Sequence, residues 1–244
     1  MELRAFDLLS IQHSIEVASK AEKNAVKGNK LMQYLQKFLP HYKRNIYKEV
    51  AFNYDQHFLE TGNKIYLKGY RQSEKYFESI TNEIKKIFSI KEELIKDVSN
   101  VALLIQSENS ISIHIRRGDY TNAAMLEYHG VQGIEYYNQA ISFIKEKIAN
   151  PKFYVFSDNI NWVQENLNLN EEAHLITVDE SPTSITDFYL MRCCKHNIIA
   201  NSTFSWWAAY LNPNPDKIII APKRWFNKAN FNTKDLIPSS WIQL

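Results

Sequence analysis

Between Ser110 and Arg116 apolar and polar residues take turns: Ile111, Ile113 and Ile115 fall between Ser112, His114 and Arg116. A period of two predicts a half-buried strand, and Gly118 lets the backbone turn sharply at its end. Downstream the spacing becomes helical. Ile134, Tyr137, Ile141, Ile144 and Ile148 predict a helix over 134–148. Short apolar runs predict strands over 153–156, 174–178, 197–200 and 217–220, the last being the final strand expected. Helices are expected over 160–167, 185–194 and 204–211, with Thr186 as a candidate cap for the second. The Asn212-Pro213-Asn214-Pro215 run stops the third. Regular strand–helix alternation predicts an α/β fold with a doubly wound parallel sheet.

The first hundred residues carry a weaker signal. A helical region ends at 38–40, a strand is expected over 64–69, and amphipathic helices with charged outer faces are expected over 73–90 and 94–106. There is no internal repeat and no low-complexity tract, which argues against a solenoid or a linker. The expected division is a reduced, largely helical N-terminal domain at 1–108 and a C-terminal sheet domain at 109–244.

Composition narrows the function classes. Hydrophobic residues make up 45% and charged residues 23% of 244, as in an ordinary soluble domain. A formal charge of +2 gives no field that argues for nucleic acid or an acidic membrane, so no nucleic-acid partner is expected and any basic function must be local, as in Arg116–Arg117. Cys193 and Cys194 are sequence neighbours on an expected helix and cannot bridge each other. Reduced thiols, with no apolar leader after Met1, point to the cytoplasm. Asn201-Ser202-Thr203 fits a glycosylation sequon, which has no consequence in that compartment.

Three segments fall at strand ends of the expected sheet: His114, Arg116, Arg117 and Asp119; Ser157-Asp158-Asn159; and Asn201-Ser202-Thr203-Phe204-Ser205-Trp206-Trp207. Ligand clefts of open α/β sheets lie at the carboxyl ends of strands. Adjacent guanidiniums suit a diphosphate, since each fork can bind phosphate oxygens bidentately. The third segment leads into a helix whose N-terminus is an anion site. No two aspartates are separated by a single residue, so the Asp-x-Asp metal grip of many sugar transferases is absent and no metal or other cofactor is expected. Each residue also has a structural reading. His114 suits a satisfied core histidine, Trp206 and Trp207 suit core anchors, Asp158 a cap for the helix at 160, and Asp187 a partner of its helix dipole.

Several ordered motifs sharpen the reading. H-I-R-R-G-D-Y at 114–120, Y-H-G at 128–130, E-Y-Y at 135–137, F-S-D-N at 156–159 and N-S-T-F-S-W-W at 201–207 resemble those of the α-1,2-fucosyltransferases of glycosyltransferase family 11. Y-L-K-G-Y-R-Q-S-E-K-Y-F at 66–77 and A-P-K-R-W-F at 221–226 extend the resemblance from about residue 60 to the C-terminus. The resemblance implies a GT-B-like architecture with Rossmann-type halves, a GDP-β-L-fucose donor, and inverting transfer to the 2-hydroxyl of a β-galactoside. It implies that Arg116 neutralises the β-phosphate with Arg117 beside it, that His114 contacts the donor, and that Asp187 binds guanine. Ser205 and Trp206 would lend backbone N–H groups to the diphosphate, at a turn built by Asn201, Ser202 and Thr203. An inverting transfer needs a general base. Asp119 is the first candidate, and Asp158, also a donor-side residue, and Glu127 are alternatives.

Members of the family usually open with a glycine-rich G-G-L-G-N-Q-x-F segment that has no counterpart here. The chain is expected to begin about 50 residues late, judged from typical strand–helix unit lengths. Two other readings therefore stand beside the first: a GDP-fucose transferase of another linkage, and a donor-binding chain without catalysis. The expected partners are GDP-fucose and a galactose-containing glycan. The expected place is the cytoplasm, with peripheral contact at the inner membrane face where surface glycans are assembled.

Overall fold

The computed structural model describes residues 10–49, 52–118, 123–167, 172–177, 179–227 and 231–244. The chain divides into two compact units. One comprises Met1–His13, Lys85–Ala229 and Ser239–Leu244, and the other Ser14–Ile84 and Asn230–Pro238. The chain elements run in the order α1 (Lys20–Lys27), α2 (Lys30–Leu35), β1 (Ile46–Lys48), β2 (Tyr66–Lys68), α3 (Thr81–Ile87), α4 (Ser99–Ser107), β3 (Ser110–Ile115), α5 (Ala123–Tyr128) and α6 (Ile134–Lys147). They continue with β4 (Lys152–Ser157), α7 (Ile160–Asn166), β5 (Ala173–Leu175), α8 (Ser184–Cys193), β6 (His196–Ile198), α9 (Thr203–Tyr210), β7 (Ile219–Ala221) and β8 (Ile242–Gln243).

The larger unit is built on a six-stranded sheet in the order β5-β4-β3-β6-β7-β8. Every neighbouring pair is parallel. Counted from β3, this is the 3-2-1-4-5-6 order of a doubly wound nucleotide-binding fold. The register sets one apolar residue of each strand in a row: Leu175, Val155, Ile113, Ile198, Ile220 and Ile242. That row joins Tyr137, Ala140, Ile141 and Ile144 of α6 and Val163 of α7 in one core. The opposite face packs Tyr154 and Phe156 against Ala102 and Ile105 of α4, Leu190 and Met191 of α8, and Ala208 of α9.

β3 is buried along its whole length, although its alternation predicted a half-buried strand. Ser112 faces the second helical layer, where hydrogen bonds satisfy it. Asn197 Nδ2 donates to Ser112 Oγ at 2.7 Å and to the Met191 carbonyl at 2.9 Å, and Asn212 Nδ2 donates to Asn197 Oδ1 at 2.7 Å. Alternation here marks a buried polar ladder and not a wet face.

The chain passes from one unit to the other after His13, Ile84, Ala229 and Pro238. Residues 85–108 join the sheet unit because Val98, Ala102 and Ile105 are core residues of it. The long helices expected over 73–90 and 94–106 are broken into 3₁₀ turns followed by the short α3 and α4. Phe77, with φ −141° and ψ 11°, interrupts the first. β8 adds a strand after β7, which the sequence placed last. Thr183 caps α8, and Thr186, the third residue of the helix, is the other member of that capping box, not the cap.

The smaller unit holds a two-stranded parallel pairing of β1 with β2 among short helices. Its centre is the buried Tyr47, whose hydroxyl donates to Asp55 Oδ2 at 2.6 Å; His41 Nε2 meets the same oxygen.

Candidate active site at the switch point of the sheet

In this strand order the chain winds outward from β3 to β5, then crosses through α8 to β6 on the other side of β3. The crevice between the carboxyl ends of β3 and β6 is the topological switch point, where open α/β sheets bind ligands. The described parts of the three expected segments reach this edge, His114–Gly118 at the end of β3, Asp158 after β4 and Asn201–Trp206 after β6, and the first turn of α8 joins them.

Arg116 is held by a carboxylate. Its Nη1 lies 3.0 Å from Asp158 Oδ2, and each side chain is 25% exposed. Asp158 Oδ1 accepts the backbone N–H of Arg117 at 2.8 Å. Gly118 makes room for that carboxylate, since a Cβ there would stand 2.7 Å from Asp158 Oδ2. The helix-cap reading of Asp158 fails because Asn159 is the N-cap of α7 and accepts Trp162 N–H at 3.0 Å. Asp158 therefore acts by fixing the β3 loop and the arginine together.

The twin-arginine expectation divides in two. Successive residues after a strand point to opposite faces. Arg117 Cζ sits 4.1 Å over the ring of Trp162, which packs on the α6–α7 core. Arg116, like His114, belongs to the other side. Only one of the two forks is held against Asp158 at the strand ends.

His114 is buried, with its ring 5.7 Å from that of Phe204 in the first turn of α9. This contact ties the end of β3 to the start of α9. Burial, reinforced by the Arg116 charge, pushes its pKa down to about 4, so the imidazole is neutral at pH 7. Its Nδ1 is buried without a hydrogen-bond partner, so the core-histidine reading leaves a polar atom unsatisfied.

The β6 turn separates into structural and available groups. Asn201 Nδ2 donates to the carbonyls of His129 at 3.0 Å, Gly130 at 3.2 Å and Trp225 at 3.0 Å. That buried amide pins two loops and is no glycan acceptor, whatever the sequon suggests. Gly130, at φ 69°, is required there because a Cβ would stand 2.6 Å from Asn227 Oδ1. Ser202 is the N-cap of α9 with no side-chain cap bond, Thr203 is exposed, and Ser205 Oγ donates to the Ser202 carbonyl at 3.3 Å. The Trp206 N–H donates to the Ser202 carbonyl at 3.0 Å and is thus a helix bond, not a free anion donor. The first-turn N–H groups, through Ser205, are what the turn offers an anion. Trp206 is a core anchor, stacked 5.1 Å from Tyr210 and tilted against Trp241 at 5.3 Å.

Asp187 lies in the first turn of α8, half-buried, with burial raising its carboxyl above the usual range against a Ser181 hydrogen bond that lowers it. The next residue, Phe188, has its ring 5.5 Å from Phe204, so the α8 and α9 starts are neighbours. Glu127 is exposed on α5. Asp119 lies outside the described residues. Among the described residues no group of three or more His, Cys, Asp or Glu side chains is disposed to hold a metal ion.

Two residues of the site frame carried no chemical signal in the sequence. Tyr136 O–H reaches the Ile199 carbonyl at 2.7 Å and the Ile220 carbonyl at 3.1 Å, joining the ends of β6 and β7. Tyr137 O–H donates to the His114 carbonyl at 3.3 Å. Both sit in the E-Y-Y motif, whose order in the chain was the only pointer to them.

The chain is similar to several known proteins. A sequence profile of Glycosyl transferase family 11 matches residues 8–244. The O-antigen biosynthesis glycosyltransferase WbnK of Escherichia coli is 36% identical over 191 residues, covering 76% of this chain and 63% of that protein. An alpha-1,2-colitosyltransferase of Escherichia coli is 37% identical over 179 residues, covering 72% and 61%. Human galactoside alpha-(1,2)-fucosyltransferase 1 is 27% identical over 154 residues, covering 59% and 42%. The chain thus spans 63% or less of the length of each of these relatives. Among solved structures, NodZ alpha-1,6-fucosyltransferase co-crystallized with GDP is similar at a TM-score of 0.43 and 16% identity, covering 63% of this chain and 53% of that one. The chain is a member of glycosyl transferase family 11.

Proposed function

We propose that the chain transfers L-fucose from GDP-β-L-fucose to the 2-hydroxyl of a β-galactoside, with inversion at the anomeric carbon. One observation carries this reading: Arg116, held by Asp158, stands at the switch point beside the uncapped start of α9. In the reaction the anomeric C–O bond to the β-phosphate breaks and its electron pair leaves with GDP. The acceptor oxygen bonds the anomeric carbon from the opposite face, and its proton passes to a general base. Negative charge grows on the departing phosphate, and a preorganised cation aimed there stabilises the transition state more than the ground state. Arg116 and the first-turn N–H groups of α9 supply that field, so the reading requires no divalent ion.

Asp119 is the proposed base. Asp158 serves as a positioning residue, since both of its oxygens are engaged by the β3 loop. His114 offers a neutral imidazole to the donor, and Asp187 accepts from the guanine edge. The protein acts in the cytoplasm, in surface-glycan assembly. No described helix is long and apolar enough to cross a membrane.

The test is a transfer assay with GDP-fucose and lactose, in the presence and absence of EDTA. An α-linked fucose on the galactose 2-oxygen, formed equally with EDTA, is the expected product. Calorimetric binding of GDP without transfer to any galactoside would favour the non-catalytic reading. A second donor deserves the same assay because of the colitosyltransferase relative: faster transfer from GDP-colitose than from GDP-fucose would reassign the sugar.

A further inference from the structure

The smaller unit carries a helix whose amphipathic faces are reversed. Gln33 and Gln36 turn inward: Gln33 Nε2 donates to the Gly28 carbonyl at 2.9 Å, and Gln36 Oε1 accepts Asn45 N–H at 2.8 Å. Leu31, Tyr34, Leu35 and Phe38 turn outward and are 67%, 56%, 56% and 77% exposed. Their spacing of three, one and three residues makes one stripe along α2 and the 3₁₀ turn Gln36–Phe38 that continues it. An outward apolar stripe on a helix whose polar residues bond its own unit has no role in that unit's core.

The surrounding charge identifies the occupant. Residues 18–44 contain seven cations, Lys20, Lys23, Lys27, Lys30, Lys37, Lys43 and Arg44, against the single acid Glu22. Among the described residues none of these seven is in an ion pair. A second copy of the chain would bring this cationic rim against itself across a two-fold axis, which like-charge repulsion opposes. An anionic bilayer takes both features at once. The stripe enters the boundary between headgroups and acyl chains, and the lysines meet the phosphates.

We propose that residues 30–38, with the lysines around them, dock the protein on anionic phospholipid membranes. The surface is independent of the sugar-transfer reading and stands or falls separately from it. The experiment is sedimentation of the full chain with vesicles of phosphatidylcholine alone or mixed with phosphatidylglycerol. The chain is expected to sediment with the mixed vesicles and not with the neutral ones, and added salt should release it. Leu31→Gln with Phe38→Gln should abolish binding while leaving the thermal midpoint unchanged, since both side chains are exposed. Lys30→Ala with Lys37→Ala should weaken binding by about fivefold for each lysine removed. Absence from the mixed vesicles would overturn the proposal, whether the chain then stays monomeric, forms a dimer or takes up an acidic protein. Equal binding to neutral vesicles would overturn it too, as would binding that neither double variant changes.

Discussion

Gly118→Ala is a substitution of one methyl group that should act on Arg116 without touching it. The new Cβ would stand 2.7 Å from Asp158 Oδ2 and 3.1 Å from its Cγ, well inside ordinary contact. The carboxylate is the end of a short side chain, so it must rotate away, and Oδ2 is the atom 3.0 Å from Arg116 Nη1. A hydrogen bond to a charged group contributes about 1.5–3 kcal/mol. The pair is a quarter exposed, and solvent screening places it at the lower end, about 1.5 kcal/mol. If Arg116 must be held to meet the leaving phosphate, that loss appears as roughly a tenfold fall in kcat/KM for the donor. GDP release with varied GDP-fucose measures it, and differential scanning fluorimetry checks that the fold survives. The decisive comparison is with Asp158→Ala. Once the carboxylate is gone, the methyl group has nothing to displace, so adding Gly118→Ala should cost nothing more. A tenfold loss that persists in the Asp158→Ala background would refute the reasoning, as would a Gly118→Ala enzyme of full activity.

Arg117→Ala should leave GDP affinity within about twofold, because its guanidinium rests on Trp162, and should cost stability by about 0.5–1 kcal/mol; titration calorimetry and urea unfolding give the two numbers. Tyr136→Phe removes the hydroxyl shared by the Ile199 and Ile220 carbonyls and should destabilise by about 1–2 kcal/mol in urea unfolding. His114 makes stability depend on pH. Its folded pKa lies near 4 against 6.5 for the free group, so the unfolded state binds more protons between those values. Its contribution is complete above pH 6.5 and is lost as the pH falls to 4, a change on the order of 3 kcal/mol. Urea unfolding across that window should show a shallower acid slope in His114→Gln than in the parent chain.

The larger unit was legible because its strands and helices repeat a strong local rule. A helix that must cover a sheet spaces its apolar residues at three and four, as in α6, and a strand inside a parallel sheet gathers Ile and Val. The first eighty residues obey no such rule. Their helices are short and interrupted by 3₁₀ turns, and the pairing of β1 with β2 spans three residues, so neither period has room to appear. β8, two residues long, is set by pairing with β7 and by nothing local. Within the site, residue types pointed to Arg116, His114 and Asp158, but side-chain direction decided their parts. Arg117 went to the other face by simple alternation. The Trp206 N–H was claimed by the α9 helix, and Asn201 was consumed in pinning loops. Tyr137 looked like helix core from its spacing and Tyr136 was marked only by its place in the E-Y-Y motif, since a hydroxyl bound to a distant carbonyl leaves no mark in sequence.

Hydrogen–deuterium exchange of the chain with and without GDP tests the placement of the donor most directly. The nucleotide should slow exchange in peptides covering 114–118 and 201–206, and Arg116→Ala should remove that protection at the same GDP concentration. Protection confined to residues 14–84, or protection of the two strand ends that Arg116→Ala leaves intact, would contradict a site built around this arginine.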